Sequence, residues 1–252
     1  MTIAMPAAGR PAFRLRHALP LLAASVLAPA FAADACSARA PERSATVVEL
    51  YTSEGCSSCP PADRWLSGLT DRPDVVALAF HVDYWDRLGW TDRFASAAYS
   101  ERQRLVQAGS GARFVYTPQV LVNGTDWRSW PGPLPAGAAS PVDLSLQREG
   151  GELLAHVAPR PGAALPARLA AYWALVEDSH VSAVKAGENA GATLRHDHVV
   201  RRYVPVAAWS SAQPQDLRWA VPAARGDHAQ RALLVVTDAA TGRPVQALSL
   251  GC

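Results

Sequence analysis

The chain has 252 residues, of which 49% are hydrophobic and 18% charged, and its formal net charge is +2 at pH 7. A charge this close to zero gives no reason to expect nucleic acid or an anionic membrane surface as a partner. The length allows either one large domain or two small ones, and both can bury a sufficient core.

The N-terminal segment is typical of a secretory signal. It begins with a basic region formed by Arg10, Arg14 and Arg16. An apolar run over residues 18–31 follows, and it ends in the small-x-small cleavage pattern of residues 30–32. Because this run is too short to span a bilayer, we predict a cleaved signal over residues 1–33 and a periplasmic or secreted protein with no membrane span after cleavage. Cleavage removes three arginines and no acidic residue, so the formal net charge becomes −1.

Export places the cysteines in an oxidising compartment, where they are candidates for disulfides. The sequence contains Cys36, Cys56, Cys59 and Cys252. Cys56 and Cys59 are close enough to pair with each other, which leaves one cysteine near each end of the mature chain. Since chain termini often lie close together, we expect a structural Cys36–Cys252 disulfide. Spacing alone does not fix the pairing, and a free Cys252 is the alternative.

Strand-like and helix-like patterns alternate in the first half of the chain. Short apolar or β-branched runs predict strands over residues 46–52, 75–82 and 114–122. Helices are predicted between them over residues 60–69 and 93–108. Thr91 is the expected N-cap of the second helix, and Asn123-Gly124 is a hairpin turn. This order implies a parallel sheet with helices packed on it, and we assign it to an α/β domain over residues 45–128.

The composition changes after the hairpin turn. Residues 129–141 are rich in proline and glycine and are predicted to be a linker. The rest of the chain, residues 142–252, contains short strand patterns at 142–147, 153–158, 169–175, 198–206, 217–221, 232–237 and 244–250. Regularly spaced short strands favour a mainly antiparallel, sandwich-like β domain.

The Cys56-Ser57-Ser58-Cys59 motif lies where a predicted strand ends and a predicted helix begins. A cysteine attacks only as its thiolate, and free amide groups at a helix start favour that anion. Cys56 is therefore the expected attacking thiol, and Cys59 the resolving one. A purely structural disulfide and a metal site are the alternatives, although zinc usually takes four ligands and the chain has no second C-x-x-C pair.

Thr117-Pro118 is the second candidate element of the site. Proline interrupts an otherwise apolar strand pattern here, which normally indicates an edge or the end of a strand. A cis bond at this position would leave the Thr117 backbone free to pair with an extended substrate. Thr117 and Pro118 are thus predicted to bind substrate.

Several segments resemble a family of exported bacterial thioredoxin-like proteins that is defined only as a domain of unknown function. The matching segments are ELYTSEGCSSCPPAD, FHVDYWDRLGW, the Arg102-Gln103 pair, VYTPQVLVNG and GENAGATLRHDHVVR. The resemblance to the thioredoxin superfamily rests on Cys56, Cys59 and Pro118, with Thr117 as its neighbour. It implies an α/β thioredoxin-like domain followed by the mainly antiparallel β domain, with redox chemistry at the cysteine pair.

Three polar residues near the predicted strand ends are candidates for a proton relay to the cysteines. His81 and Asp83 follow the second strand at its carboxyl end, where sites form in open parallel sheets. Glu49 lies on the strand before the motif and is an alternative candidate for the same role. Local capping and packing is the alternative for each of them.

His196 and His198 are separated by one residue, which on a strand places both on one face. Together with Cys56 and Cys59, or with Glu188 or His180, they could bind copper or zinc. A solvated strand face is the simpler interpretation because the spacing is not that of a defined metal motif.

These patterns favour an exported thiol–disulfide oxidoreductase that needs no cofactor. Its expected partners are exported thiol or disulfide proteins or small thiols, and no nucleic acid. The alternatives are a metal-binding protein or metallochaperone that uses the cysteine pair, and a non-catalytic binding module.

Overall fold

The computed structural model describes residues 1–4, 36–222 and 228–251. The chain divides into two units, Met1–Ala33 and Asp34–Cys252, and the described residues of the first unit form no helix or strand. The basic region and cleavage pattern of the predicted signal lie outside the described residues.

The described residues of this unit form two α-helices and fourteen strands. The helices are α1 at Pro60–Ser67 and α2 at Ala97–Ser110. The first seven strands are β1 Ser37–Arg39, β2 Thr46–Thr52, β3 Val75–His81, β4 Gln119–Val122, β5 Thr125–Asp126, β6 Val142–Glu149 and β7 Glu152–Pro159. The remaining strands are β8 Arg168–Glu177, β9 His180–Ala183, β10 Thr193–His196, β11 Val199–Ser210, β12 Gln215–Ala220, β13 Gln230–Asp238 and β14 Pro244–Leu250. Neither helix in the described part of the chain has the length and apolar character needed to cross a membrane.

One large sheet contains strands from both halves of the chain. Its eight strands lie in the order β14-β13-β8-β11-β3-β2-β4-β5. β3 pairs in parallel with β2 on one side and with β11 on the other, and the remaining neighbours are antiparallel. The contact between β3 and β11 is short and centres on Ala79 and Val199.

The predicted fold class, an α/β thioredoxin-like domain followed by a mainly antiparallel β domain, is wrong. Strands dominate, and the two α-helices of the described residues contain only 8 and 14 residues. The strands expected to form a separate helix-covered sheet are joined through β11 to antiparallel strands from the second half. Apolar patterning indicates that a strand is buried, but it does not indicate which strand lies beside it.

A second sheet, in the order β1-β6-β7-β12, covers one face of the antiparallel part of the large sheet. β6 alternates buried and more exposed residues, as expected for a strand with one covered face. β8 is buried almost throughout because both its faces are covered. Trp173 packs into the core between the two sheets, whereas Tyr172 belongs to the core on the opposite face.

The strand β2 also lies between two cores, and this position brings its end to the start of α1. Val48 and Leu50 pack against Ala62 and Leu66 of α1. Tyr51 faces the other core, where its ring stacks on Phe80. Burial on both faces holds β2 firmly, so the loop that follows it has a fixed starting point.

Residues 129–141, predicted to be a linker, are attached to the segment that leads into β2. Thr46 Oγ1 donates a hydrogen bond to the Pro135 carbonyl at 2.8 Å, and the Ser44 amide donates to the Ala138 carbonyl at 2.8 Å. At Gly137 the backbone approaches Ser44 so closely that an added Cβ would lie 1.6 Å from the Ser44 carbonyl oxygen. Only glycine fits this position without a backbone shift.

Candidate functional site

The loop between β2 and α1 carries the two cysteines predicted to react. Cys56 and Cys59 form a disulfide with their Cα atoms 5.4 Å apart. Cys59 is the N-cap of α1, and Pro60 and Pro61 occupy the first two helical positions. Prolines are tolerated there because the amides of the first turn have no acceptor within the helix. The predicted position of the pair, between a strand and a helix, is confirmed.

Both cysteines are shielded from solvent in this disulfide form. Each is 0% exposed, whereas Ser57 and Ser58 between them are exposed. The Sγ of Cys56 lies 3.4 Å from the Oγ of Ser58. The disulfide therefore lies just beneath the surface, and a reagent reaches it only when neighbouring groups move.

Residues 184–192, which join β9 to β10 and are called here the Glu188 loop, are hydrogen-bonded to the cysteine loop. The Nδ2 of Asn189 donates to the carbonyl oxygens of Glu54 and Cys56 at 2.8 and 2.9 Å. The Oε2 of Glu188 accepts from the amide and the hydroxyl of Ser57 at 2.9 and 2.8 Å. These bonds from Ser57 hold the pKa of Glu188 below its ordinary value. Four hydrogen bonds thus connect the two loops.

Trp85 connects the cysteine loop to the segment before β4. Its Nε1 donates to the Oγ1 of Thr117 at 2.8 Å. On the other side its Cβ lies so close to Gly55 that a Cβ added to Gly55 would be 3.0 Å away. The Thr117–Pro118 bond is cis, as predicted, and both residues are half-buried. The two predicted parts of the site therefore contact a common side chain.

Five titratable side chains are buried next to the cysteine loop: Glu54, Asp63, His81, Asp92 and His196. The Oδ2 of Asp92 accepts a hydrogen bond from the Glu54 amide at 2.9 Å and lies 2.7 Å from Nδ1 of His81. Burial opposes ionisation of Asp92, but the charge and hydrogen bond of His81 and the backbone amides lower its pKa to about 2. Burial likewise opposes the charged form of His81, and Asp92 outweighs it and raises the His81 pKa.

Glu54 connects this cluster to the strand β10. Its Oε1 lies 3.3 Å from Nε2 of His196, without the geometry of a hydrogen bond. Its Oε2 accepts a hydrogen bond from Nε1 of Trp90 at 2.7 Å. The side chain immediately before Gly55 and Cys56 is therefore held from two directions.

Asp63 belongs to α1 and lies one helical turn after Cys59. Its amide donates to the Cys59 carbonyl at 3.1 Å, and its Oδ2 accepts from the Thr52 hydroxyl at 3.1 Å. Residues at positions i and i+4 are neighbours on a helix surface, so the Asp63 carboxyl and the Cys59 side chain lie on one face. Burial raises the pKa of Asp63, against the opposing effect of the nearby histidines. Asp63 thus binds its proton more tightly than an ordinary aspartate, and it lies next to Cys59, the predicted resolving cysteine.

Of the three predicted relay residues, only His81 belongs to this cluster. Glu49 lies on the other side of the large sheet, where its Oε1 accepts from Nη2 of Arg102 at 2.6 Å and also from the Tyr172 hydroxyl. Asp83 accepts a hydrogen bond from the Ser100 hydroxyl and is only half-buried.

His196 and His198 lie in different surroundings. β10 ends at His196, whose ring packs against that of His81 with centroids 5.0 Å apart. His198 lies between β10 and β11 with a φ of 57°, and its Nδ1 is 2.9 Å from an Arg231 nitrogen. Across the described part of the chain, no group of three or more His, Cys, Asp or Glu residues is arranged to hold a metal ion.

Cys36, the remaining described cysteine, is disulfide-bonded. Cys252, its predicted partner, lies outside the described residues. The Cys36–Cys252 pairing therefore stays a prediction.

Sequence reasoning missed Asp63, Glu54 and the contact between Glu188 and Ser57. Asp63 could have been found from its spacing of four residues after Cys59 on a predicted helix. Glu188 was considered only as a metal ligand, because no local pattern shows that its loop reaches the cysteine pair. Long-range contacts of this kind leave no signal in a single sequence.

Fold and site together define a mainly β protein with a disulfide at the junction of a buried strand and a short helix. The chain belongs to the family described as "Protein of unknown function (DUF1223)", which matches residues 47–237. This agrees with the predicted resemblance to a family of unknown function. The comparisons give no support to a place in the thioredoxin superfamily.

Two solved structures are similar to this chain. One is the X-ray crystal structure of a structural-genomics target from Agrobacterium tumefaciens, with 29% identity, a TM-score of 0.61, and coverage of 84% of this chain and 96% of that one. The other is HBP35 of Porphyromonas gingivalis, with 13% identity, a TM-score of 0.57, and coverage of 83% and 76%. At that identity the likeness to HBP35 concerns the fold alone. No curated protein matches the chain.

Proposed function

We propose that the protein is an exported thiol–disulfide oxidoreductase that uses the Cys56–Cys59 pair. The observation that carries the proposal is the position of the disulfide, which starts at the end of a buried strand and finishes at the N-cap of α1. A bridge between residues only three apart closes a very small loop and restricts few conformations of the unfolded chain. The disulfide therefore adds little to the stability of the fold, whereas reversible thiol–disulfide exchange would explain why it is present.

The proposed reaction is a balanced exchange of two electrons. A substrate thiolate attacks the Sγ of Cys56, the Cys56–Cys59 bond breaks, and Cys59 leaves as a thiolate. The second thiolate of the substrate then attacks its own sulfur in the mixed disulfide, and Cys56 leaves as a thiolate. The substrate dithiol is oxidised to a disulfide, and the protein pair is reduced. The same steps in reverse reduce a substrate disulfide.

Cys56 is the sulfur that exchanges with substrate, and Cys59 is the one that resolves the mixed disulfide. Cys56 precedes α1 and its Sγ lies 3.4 Å from the Oγ of the exposed Ser58, whereas Cys59 is the N-cap of the helix. Asp63, whose pKa is raised by burial, donates its proton to the departing Cys59 thiolate and recovers it when the disulfide re-forms. Thr117 and Pro118, fixed through Trp85, provide the surface on which a substrate chain lies.

The substrates in this proposal are exported thiol or disulfide proteins or small thiols, because the predicted signal sends the chain to an oxidising compartment. The chemistry requires no cofactor, since both electrons are held by the two sulfur atoms. The periplasmic or secreted location belongs to the proposal and depends on cleavage of the predicted signal.

A trapping experiment tests the proposal. Reduced Cys59→Ser protein is incubated with oxidised glutathione and with an extract of exported proteins, and disulfide-linked adducts are identified by mass spectrometry. We expect adducts through Cys56, which disappear in the Cys56→Ser, Cys59→Ser double variant. The absence of any adduct, together with a wild-type disulfide that resists mild reductant, would show that the bridge is structural.

A further inference from the structure

The carboxylate of Glu188 is bound to the residue that follows Cys56. It accepts both the amide and the hydroxyl hydrogen of Ser57, although the Glu188 side chain itself is exposed. We infer that Glu188 is a positioning residue that opposes formation of the Cys56 thiolate and holds its loop closed over the disulfide. This inference rests on the proposed function, because it concerns how that pair is exposed and activated.

The first part of the inference is electrostatic. Glu188 is ionised at neutral pH, and the hydrogen bonds from Ser57, together with the charge of Arg87, lower its pKa further. A thiolate at Cys56 would form one residue away from this fixed negative charge. A negative charge fixed on the neighbouring residue disfavours the charged form of the thiol. In addition, the Ser57 amide and hydroxyl are already committed to Glu188 and are not free to face the sulfur anion.

The second part concerns access. Glu188 and Asn189 lie between Gly187 and Gly191, whose φ values of 74° and 87° bend the loop toward the cysteines. Asn189 donates to carbonyls on both sides of Gly55. The disulfide is 0% exposed although Ser57 and Ser58 are exposed, and we attribute this shielding to the Glu188 loop. Release of the loop is the local movement that uncovers Cys56.

The same hydrogen bonds would form if Glu188 only anchored its loop and had no effect on the charge of Cys56. The variant Glu188→Gln separates the anchoring role from the electrostatic one. The glutamine keeps an acceptor oxygen for Ser57 and loses only the charge. Asn189→Ala removes two of the four hydrogen bonds between the loops and keeps the charge. Glu42→Gln is the matched control, because Glu42 is also an exposed carboxylate but has no contact with the cysteine loop.

The charge is tested by measuring the alkylation rate of Cys56 with iodoacetamide against pH, in the Cys59→Ser background. We expect Glu188→Gln to react about three- to tenfold faster near neutral pH, with a midpoint at lower pH, because its thiolate is no longer opposed. In the protein with both cysteines, the ratio of reduced to oxidised form in a fixed glutathione buffer should rise. A Glu188→Gln profile identical to those of the Cys59→Ser parent and of Glu42→Gln in the same background would overturn the electrostatic role.

Access is tested by the rate at which a small thiol reduces the disulfide. We expect Asn189→Ala to be reduced faster than wild type, with no shift in the pH midpoint of Cys56 alkylation. An unchanged reduction rate would overturn the role of the loop as a cover. These results are independent of substrate trapping: a Glu188→Gln shift without any trapped adduct removes the oxidoreductase proposal alone, and trapped adducts without a shift remove this inference alone.

Discussion

Trp85 and Thr117 are joined by a hydrogen bond of 2.8 Å from the indole Nε1 to the threonine Oγ1. The bond links the loop after β3 to the residue before Pro118, and Trp85 also contacts Gly55 beside the cysteines. A single side chain thus sets the spacing between two segments that are far apart in the sequence.

We expect Trp85→Phe and Thr117→Val each to lower the free energy of unfolding by about 1 kcal/mol, the typical net value of one hydrogen bond. The double variant should lose less than the sum of the two, because both changes remove the same interaction. Urea denaturation of the four proteins measures this coupling. Losses that add fully would mean that the bond does not stabilise the site.

The buried pair of His81 and Asp92 makes stability depend on pH in two ranges, one acidic and one above the ordinary histidine pKa. The pKa of Asp92 is lowered from 3.8 to about 2 in the folded protein, so its stabilising contribution is present above 3.8 and is lost as the pH falls toward 2. The pKa of His81 is raised, so its contribution is full below its ordinary value of 6.5 and is lost at higher pH. Denaturant unfolding should show stability falling as the pH drops from 3.8 toward 2, and falling again as the pH rises above 6.5.

Asp92→Asn should lower the free energy of unfolding by about 3–5 kcal/mol, because it leaves a buried partner unpaired. The matched control is Asp216→Asn, which breaks a His156–Asp216 pair with the same 2.7 Å separation. That pair is 53% and 80% exposed, so its loss should cost about 0–1 kcal/mol. Equal losses in the two variants would contradict the importance of burial.

Asp63→Asn tests the raised pKa of this carboxyl. A raised folded-state pKa means that ionisation of Asp63 destabilises the folded protein as the pH rises above 3.8. The asparagine does not ionise and still accepts the Thr52 hydrogen bond, so the variant should gain stability relative to wild type as the pH increases. We also expect slower resolution of mixed disulfides, measured by stopped flow. A gain in stability with unchanged resolution would exclude Asp63 as the proton donor to Cys59.

The Glu49–Arg102 pair should stabilise the fold and leave the cysteine chemistry unchanged. Arg102 is 7% exposed, and its guanidinium lies 4.4 Å from the ring centroid of Phe80. Arg102→Met should cost about 3–5 kcal/mol, because Glu49 is then buried without its partner. Arg104→Met is the control, since its pair with Glu101 is 55% and 59% exposed and should contribute about 0–1 kcal/mol. A change in the rate of Cys56 alkylation in the Glu49→Gln variant would instead support Glu49 as a proton relay to the cysteines.

The sequence predicts local elements well where burial alone decides them. The strand over residues 46–52 has the predicted bounds, and β3 and β14 agree within one residue. Predictions fail where a polar side chain binds a group that is distant in the sequence. The helix expected from residue 93 with Thr91 as N-cap begins instead at Ala97 with Ser96 as N-cap, and the Asp92 carboxylate accepts a hydrogen bond from the Glu54 amide of the cysteine loop.

Contacts between distant segments account for most of what sequence reasoning did not find. The β9–β10 hairpin has only four residues in each strand, and its polar pattern gives no clear strand signal. Its place over the cysteine loop depends on Glu188 and Asn189, which are more than a hundred residues away in sequence. The Cys56–Cys59 pairing and the cis Thr117–Pro118 bond could be predicted because each depends on residues adjacent in sequence.

The close approach of Gly137 to Ser44 has a consequence for how the molecule behaves as a whole. Residues 129–141 pack closely against Ser44 at Gly137, and their carbonyls accept hydrogen bonds from Thr46 and Ser44. This segment therefore cannot act as a hinge. Despite its proline and glycine content, it should resist limited proteolysis, and the parts of the chain on either side of it should move as a single rigid body.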